Sequence, residues 1–223
     1  MNKRIKSFKE QYKSDAGLRI RTSLYRNVVI NLTYALFQLA LGYKHHTVWF
    51  YSMAGYYGIL ALVRFLLAKY SEKHNMRSDL LKEWKLYRWC GISLFLLNVT
   101  LAVFVYYIMW QGRAFVHHEI TVIAMATYTF YAFTMAVIGF NKYRKLKSPV
   151  YTAGKMLGLA TALVSMLTLE KAMLATFSSG NDEQFRLIMT GATGAGVTIL
   201  ILGMAIYMVI VANKQIKKIK DVK

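Results

Sequence analysis

The sequence predicts an all-α, polytopic membrane protein, on three observations. Hydrophobic residues make up 56% of the 223 positions with a single proline, and mean hydropathy is +0.32, more apolar surface than one soluble core can hide. The apolar residues collect in six runs of the length a spanning helix needs, roughly 20 residues at 1.5 Å each to cross about 30 Å of hydrocarbon. Finally, the cations gather in segments that would share one face of such an arrangement.

The six transmembrane helices are expected near residues 27–43, 48–69, 87–110, 118–141, 150–177 and 187–213. They form a membrane domain over 27–213, preceded by a basic segment, 1–26, and followed by a basic tail, 214–223. No small-residue cleavage site precedes the first run, so the first helix is expected to stay as an uncleaved anchor.

A net charge of +19 invites a nucleic-acid reading until the charges are placed. Eight cations (Lys3, Arg4, Lys6, Lys9, Lys13, Arg19, Arg21, Arg26) precede the first run, and seven lie from Arg64 to Arg88. Four follow the fourth run (Lys142, Arg144, Lys145, Lys147) and five occupy the tail (Lys214, Lys217, Lys218, Lys220, Lys223), together 24 of the 29. Only Lys44, Arg113 and Arg186 fall on the other side. Positive charge stays inside, so both termini are expected in the cytoplasm, as an even number of spans also requires. Ile5, Phe8, Tyr12, Leu18 and Ile20 among the first cations predict a helix lying on anionic lipid headgroups. No basic-aromatic recognition module is present, so no nucleic-acid partner is expected.

The connection after the second run, "KYSEKHNMRSDLLKEWKLYRW", carries Leu80, Leu81, Trp84 and Leu86 among charges, a pattern for helical extensions into the cytoplasm. The outer connections, "KHH", "QGRAFVHHE" and "SSGNDEQFR", are short. "YALFQLALG" (34–42) and "YAFTMAVIG" (131–139) share Tyr-Ala and Gly at one spacing. Spans one and four run in opposite directions, so this echo admits a 3+3 inverted repeat, with a substrate site near mid-bilayer.

Ionisable residues inside spans are functional candidates because a charge at mid-membrane costs several kcal/mol. Glu170 and Lys171 lie about 30 Å along the fifth helix from Ser148, near the outer interface, where snorkelling or mutual neutralisation accounts for them. Lys155, about 10 Å from the inner end, and Arg64 can reach cytoplasmic headgroups. The deeper polar set is uncharged. Asn31, Gln38, Asn98, Thr161 and Ser165 form a candidate polar path, although such groups usually hydrogen-bond between helices. Ser52 and Ser93 belong to the same class. In "TGATGAGVTILILG" the glycine spacing is GxxGxG without a βαβ context, which excludes a dinucleotide fingerprint. Gly191 with Ala195, Ala192 with Gly196, and Gly203 instead form small faces for helix packing, which also admit a homodimer.

His45–His46 and His117–His118, the second pair followed by Glu119, raise an external metal site, but adjacent histidines diverge on a helix and exposed loop residues are the plainer reading. Cys90 stands alone and reads as a packing residue. Tyr and Trp concentrate at "YKHHTVWFY", "EWKLYRW" and "VYYIMW", as at a water boundary. No nucleophile-base arrangement, HExxH or acidic cluster is present, and Asp79, His74 and Glu83 are scattered, so neither enzyme activity nor a cofactor is expected.

The six spans, cytoplasmic termini and "KLKSPVYTAGKML" (145–157) resemble the membrane domain of the cation diffusion facilitators, zinc and manganese antiporters. The likeness is loose over all six spans and best at the junction of the fourth and fifth. In that family a Ser or Ser-Pro opens the fifth helix, followed by a small-residue/Asp pair and a His-x-x-x-Asp set. Here Ser148-Pro149, Ala153 and Gly154 hold the early places, but Leu157 and Thr161 stand where the histidine and aspartate belong. The second span, 47–68, has no Asp, Glu or His. The resemblance thus implies the six-helix frame without the four-ligand metal site and without the family's cytoplasmic C-terminal domain. Two functions are expected from these features. One is a small secondary transporter or transporter-derived protein, and the other is a non-transporting scaffold or partner subunit.

Overall fold

The apolar runs of the sequence are helical, as intrachain hydrogen bonding of the backbone demands of any segment that water does not solvate. A computed structural model of the chain describes residues 16–46, 48–73, 80–111, 119–142, 148–177 and 183–221. The described residues form α1 (Ala16–His45), α2 (Val48–Lys73), α3 (Leu80–Gln111), α4 (Glu119–Lys142), α5 (Pro149–Phe177) and α6 (Glu183–Asp221). The expected amphipathic stretch of residues 1–15 and the pair His117–His118 lie outside the described residues.

Four stretches are long and apolar enough to cross a membrane: Val48–Glu72, Leu80–Tyr106, Pro149–Phe177 and Gln184–Asp221. In α4 the apolar stretch is shorter, Ile120–Ala136. α1 falls below the same standard because it carries polar residues, yet it turns them inward. Val29, Leu32, Leu36 and Leu39 are exposed, while Asn31, Tyr34, Ala35 and Gln38 are buried. After α1, His46 takes the left-handed conformation with φ at 47°, a common way of stopping a helix and one that histidine tolerates better than most side chains. That gives one histidine of the His45–His46 pair a backbone role.

The chain divides into two compact units, and the division runs through α3, α5 and α6. The first unit holds α1, α2, α3 up to Tyr87, α5 up to Gly154 and α6 from Gln215. Here α1 and α2 pair antiparallel. Gly42 leaves room for the Tyr51 ring, which an added Cβ would approach to 3.1 Å. Tyr34 meets Tyr57 edge-on at 4.7 Å, Arg64 Nη1 donates to the Asn27 carbonyl at 3.5 Å, and the Tyr25 hydroxyl donates to Glu72 at 2.8 Å.

The second unit holds α3 from Arg88, α4, α5 from Lys155 and α6 up to Lys214. α3 and α6 run antiparallel along their length. Arg88 Nη1 donates to Asn213 Oδ1 at 3.2 Å, Gly91 sits against Ala205, Met208 and Val209, Asn98 Nδ2 donates to the Thr198 carbonyl at 3.0 Å, and Gly194 sits against Val105. α4 meets α5 where Thr129 Oγ1 donates to the Ser165 carbonyl at 3.2 Å.

The close approach on α6 therefore falls at Gly194, a residue the small-face reading did not single out. A Cβ there would lie 2.6 Å from Val105 Cγ1, while Gly196 and Gly203 have nothing within 4 Å. Gly191 is buried, but Ala192, Ala195, Gly196 and Gly203 are exposed. We expect Gly194→Ala to destabilise by about 1–3 kcal/mol through overpacking and Val105→Ala added to it to recover part of the loss. Gly196→Ala and Gly203→Ala should change little. Thermal melting of the detergent-purified variants reads all four.

Candidate functional site

Serine and threonine inside the helices mostly solve their own hydrogen-bonding problem. A hydroxyl can donate to the carbonyl four residues back, where the helix already places an acceptor. Ser52 donates to Val48 O at 2.8 Å, Thr161 to Leu157 O at 2.7 Å, Ser165 to Thr161 O at 2.7 Å and Thr168 to Val164 O at 2.8 Å. Two members of the expected polar path, Thr161 and Ser165, are thus joined on one helix, both buried. Their hydroxyl protons point back along α5, and their lone pairs are what they offer a neighbour.

Amides cannot be satisfied so locally. Asn98, buried on α3, reaches the backbone of α6 through Nδ2, while its Oδ1 has no partner. Asn31 and Gln38 are buried on α1. Of the expected path, then, Asn31 and Gln38 belong to the first unit and Asn98, Thr161 and Ser165 to the second.

Two polar groups emerge that the sequence did not mark. Tyr56 is 4% exposed, and its hydroxyl has no hydrogen-bond partner. Its position in an apolar run, away from the three aromatic clusters, gave no signal. Glu83, which looked like a scattered acid, is buried at 3% and accepts from the Ser148 hydroxyl at 3.5 Å. Ser148 precedes Pro149, the first residue of α5, where proline suits a helix start. The Thr152 amide bonds the Ser148 carbonyl at 3.1 Å. Glu83 therefore brings negative charge to the amino end of α5, where the helix dipole favours it. In this chain Ser148-Pro149 opens α5, with the serine hydroxyl donating to Glu83 and its carbonyl accepting from the Thr152 amide.

The charged residues of the other spans are placed as follows. Arg64 is buried and bonds Asn27. Glu170 and Lys171 are half-buried, and the Thr193 hydroxyl donates to the Met189 carbonyl at 2.7 Å. Lys155 is half-buried. Leu157 is fully buried and Thr161 is back-bonded. Among the described residues no group of three His, Cys, Asp or Glu side chains is placed to hold a metal ion. No protein-family model matches the chain, and no curated protein sequence does.

Replacing Glu83 by Leu is expected to cost about 1–3 kcal/mol, since it removes an acceptor from a buried hydroxyl and charge from a helix end. Ser148→Ala should cost about 1 kcal/mol, since it takes a hydrogen-bond donor from the buried Glu83. Melting temperatures equal to that of the wild type in both variants would exclude a stabilising role for the Glu83–Ser148 bond.

Proposed function

We propose that this chain is a six-span protein of the cell membrane with both termini cytoplasmic, working as a small secondary transporter or a protein derived from one. The observation that carries the reading is the inverted polarity of the helices. Asn31, Gln38, Asn98, Thr161 and Ser165 are buried while Leu36, Leu62, Leu96, Ile123 and Ile199 are exposed, an order that is stable when the surrounding solvent is hydrocarbon. α1 and α4 complete the six spans in this reading, α1 by pairing along α2 with its own apolar stripe outward. The cation distribution supports the orientation. The frame is that of the cation diffusion facilitators, with their metal site replaced by uncharged groups, and the repeat of 34–42 in 131–139 is the trace of a 3+3 inverted repeat.

Alternating access would expose the buried amides and hydroxyls to each side in turn. In proteoliposomes the purified protein should move a solute down its gradient, and Asn31→Leu and Asn98→Leu should slow uptake. Asn98→Leu also removes a tie between α3 and α6, worth about 0.6–1.7 kcal/mol by the range for membrane hydrogen bonds, so its melting temperature must be read beside its uptake. Unchanged uptake in both variants would take these residues out of the path.

A second reading, a non-transporting scaffold or partner subunit, is favoured by α6. Its apolar window is 22% buried, the least of the four spanning stretches, and Ala192, Ala195, Gly196 and Gly203 lie on its exposed side. This reading expects a stable complex in mild detergent. A clean monomer in native mass measurement would count against it.

A further inference from the structure

α3 and α6 are joined at one end by a bond that lies outside the core. Arg88 Nη1 donates to Asn213 Oδ1 at 3.2 Å, and the pair is exposed. The two residues stand at the ends of the apolar runs 87–110 and 187–213. One of the five guanidinium N–H groups is used in this bond, and the oxygen of the asparagine amide is engaged by it. What the pair still offers is donors: the remaining guanidinium N–H groups and the Asn213 Nδ2 group.

Beyond the pair, each helix continues in an apolar stripe. At about 100° per residue, Phe95 and Val99 lie within about 20° of Arg88 round α3, and Ile206 and Ile210 within about 60° of Asn213 round α6. All four are exposed. The bond fixes both stripes on one side of the helix pair, because it joins the residues that head them. From Arg88 to Val99 the stripe rises about 16 Å, close to one leaflet of a hydrocarbon core about 30 Å thick. No acidic residue occurs in 88–111 or 184–214, so no carboxylate of these stretches competes for the guanidinium.

We propose that Arg88 and Asn213 bind the phosphate of an anionic phospholipid whose acyl chain lies along the paired stripes of α3 and α6. The inference rests on the membrane reading of the chain and not on transport. A phosphodiester has acceptor oxygens only, which matches a pair that presents donors, and the guanidinium fork meets two of them at once. Asn213 already holds the fork beside the stripe, so less side-chain freedom is lost on binding. An acidic soluble segment would meet the cation and leave the apolar stripe uncovered, whereas a lipid covers both. Headgroups of net negative charge are favoured over phosphocholine, since the exposed Lys214 adds a second cation beside Asn213 and both repel a lipid ammonium.

Native mass measurement of the purified full-length protein in detergent, titrated with phosphatidylglycerol or phosphatidylcholine, tests the site in the wild type, Arg88→Gln, Arg88→Lys and Lys214→Gln. We expect phosphatidylglycerol to bind more tightly than phosphatidylcholine, and Arg88→Gln to lose about tenfold in affinity for it, as for one charged hydrogen-bonding group. Arg88→Lys should keep part of that affinity, and Lys214→Gln, equal to Arg88→Gln in net charge, should lose much less. Phosphatidylglycerol should raise the melting temperature of the wild type but not of Arg88→Gln, whose lipid-free melting stays close to wild type because the bond it loses is exposed. Equal binding in wild type and Arg88→Gln, or an equal loss in Lys214→Gln, overturns the site and leaves only the attraction of a basic protein for anionic lipid. Displacement of the lipid by an equal concentration of inorganic phosphate overturns it in favour of a free anion. A dimer that forms without lipid and is broken by Phe95→Ala overturns it in favour of a second copy of the chain. Protein that stays soluble without detergent removes the membrane reading and this site with it, whereas detergent-dependent protein with no Arg88-dependent binding removes this site alone.

Discussion

The hydrogen bond from a side chain to a helix backbone carbonyl is the interaction on which the interior depends. A carbonyl has two lone pairs, and the helix uses one. The second takes Thr161, Ser165 and Thr168 within α5, and between helices it takes Asn98 and Thr129. Polar residues can therefore lie in apolar helices without clustering into charged networks. Backbone acceptors, which every helix supplies at every turn, close much of the interior, while the Gln38 amide and the Tyr56 hydroxyl are buried without a hydrogen bond.

Such ties require short distances, and small residues provide them. Asn98 reaches Thr198 because α3 and α6 approach at Gly91 and Gly194, whose missing side chains face Met208 and Val105. The two effects reinforce each other. The glycines bring the axes together, dispersion contacts hold them, and the amide fixes the register along which they lie. In the pairing of α1 with α2 the aromatic rings do the same, with Tyr51 filling the space over Gly42.

The helical class was legible because runs of apolar residues with almost no proline leave no other structure open. Some details were not. α1 is already helical at Ala16, ahead of its apolar run at Asn27, because polar helical turns have no hydropathy signal. The phase of α6 was hidden, since a helix apolar nearly all round gives no indication of which side packs; Gly194 and Gly196 look alike until Val105 is placed. The partner of Asn98 is a carbonyl, which every residue has. Ser148 and Glu83 are far apart in sequence, so their bond could not be foreseen from spacing. Asn31, Gln38, Asn98, Thr161 and Ser165 were legible as polar residues in apolar runs, but which were satisfied and which were left bare depended on neighbours the sequence does not name.

The back-bonds of α5 have a mechanical consequence. Leu157, Thr161, Val164 and Ser165 each have a carbonyl that accepts a side-chain hydroxyl in addition to its place in the helix ladder. A shared acceptor lengthens the ladder bond and lets the backbone bend. With Ser148, whose carbonyl accepts the Thr152 hydroxyl at 3.0 Å, these acceptors run from the start of α5, Pro149–Phe177, past its centre. α5 is then better described as a leaf spring than as a strut, its compliance spread over successive turns rather than set at one hinge.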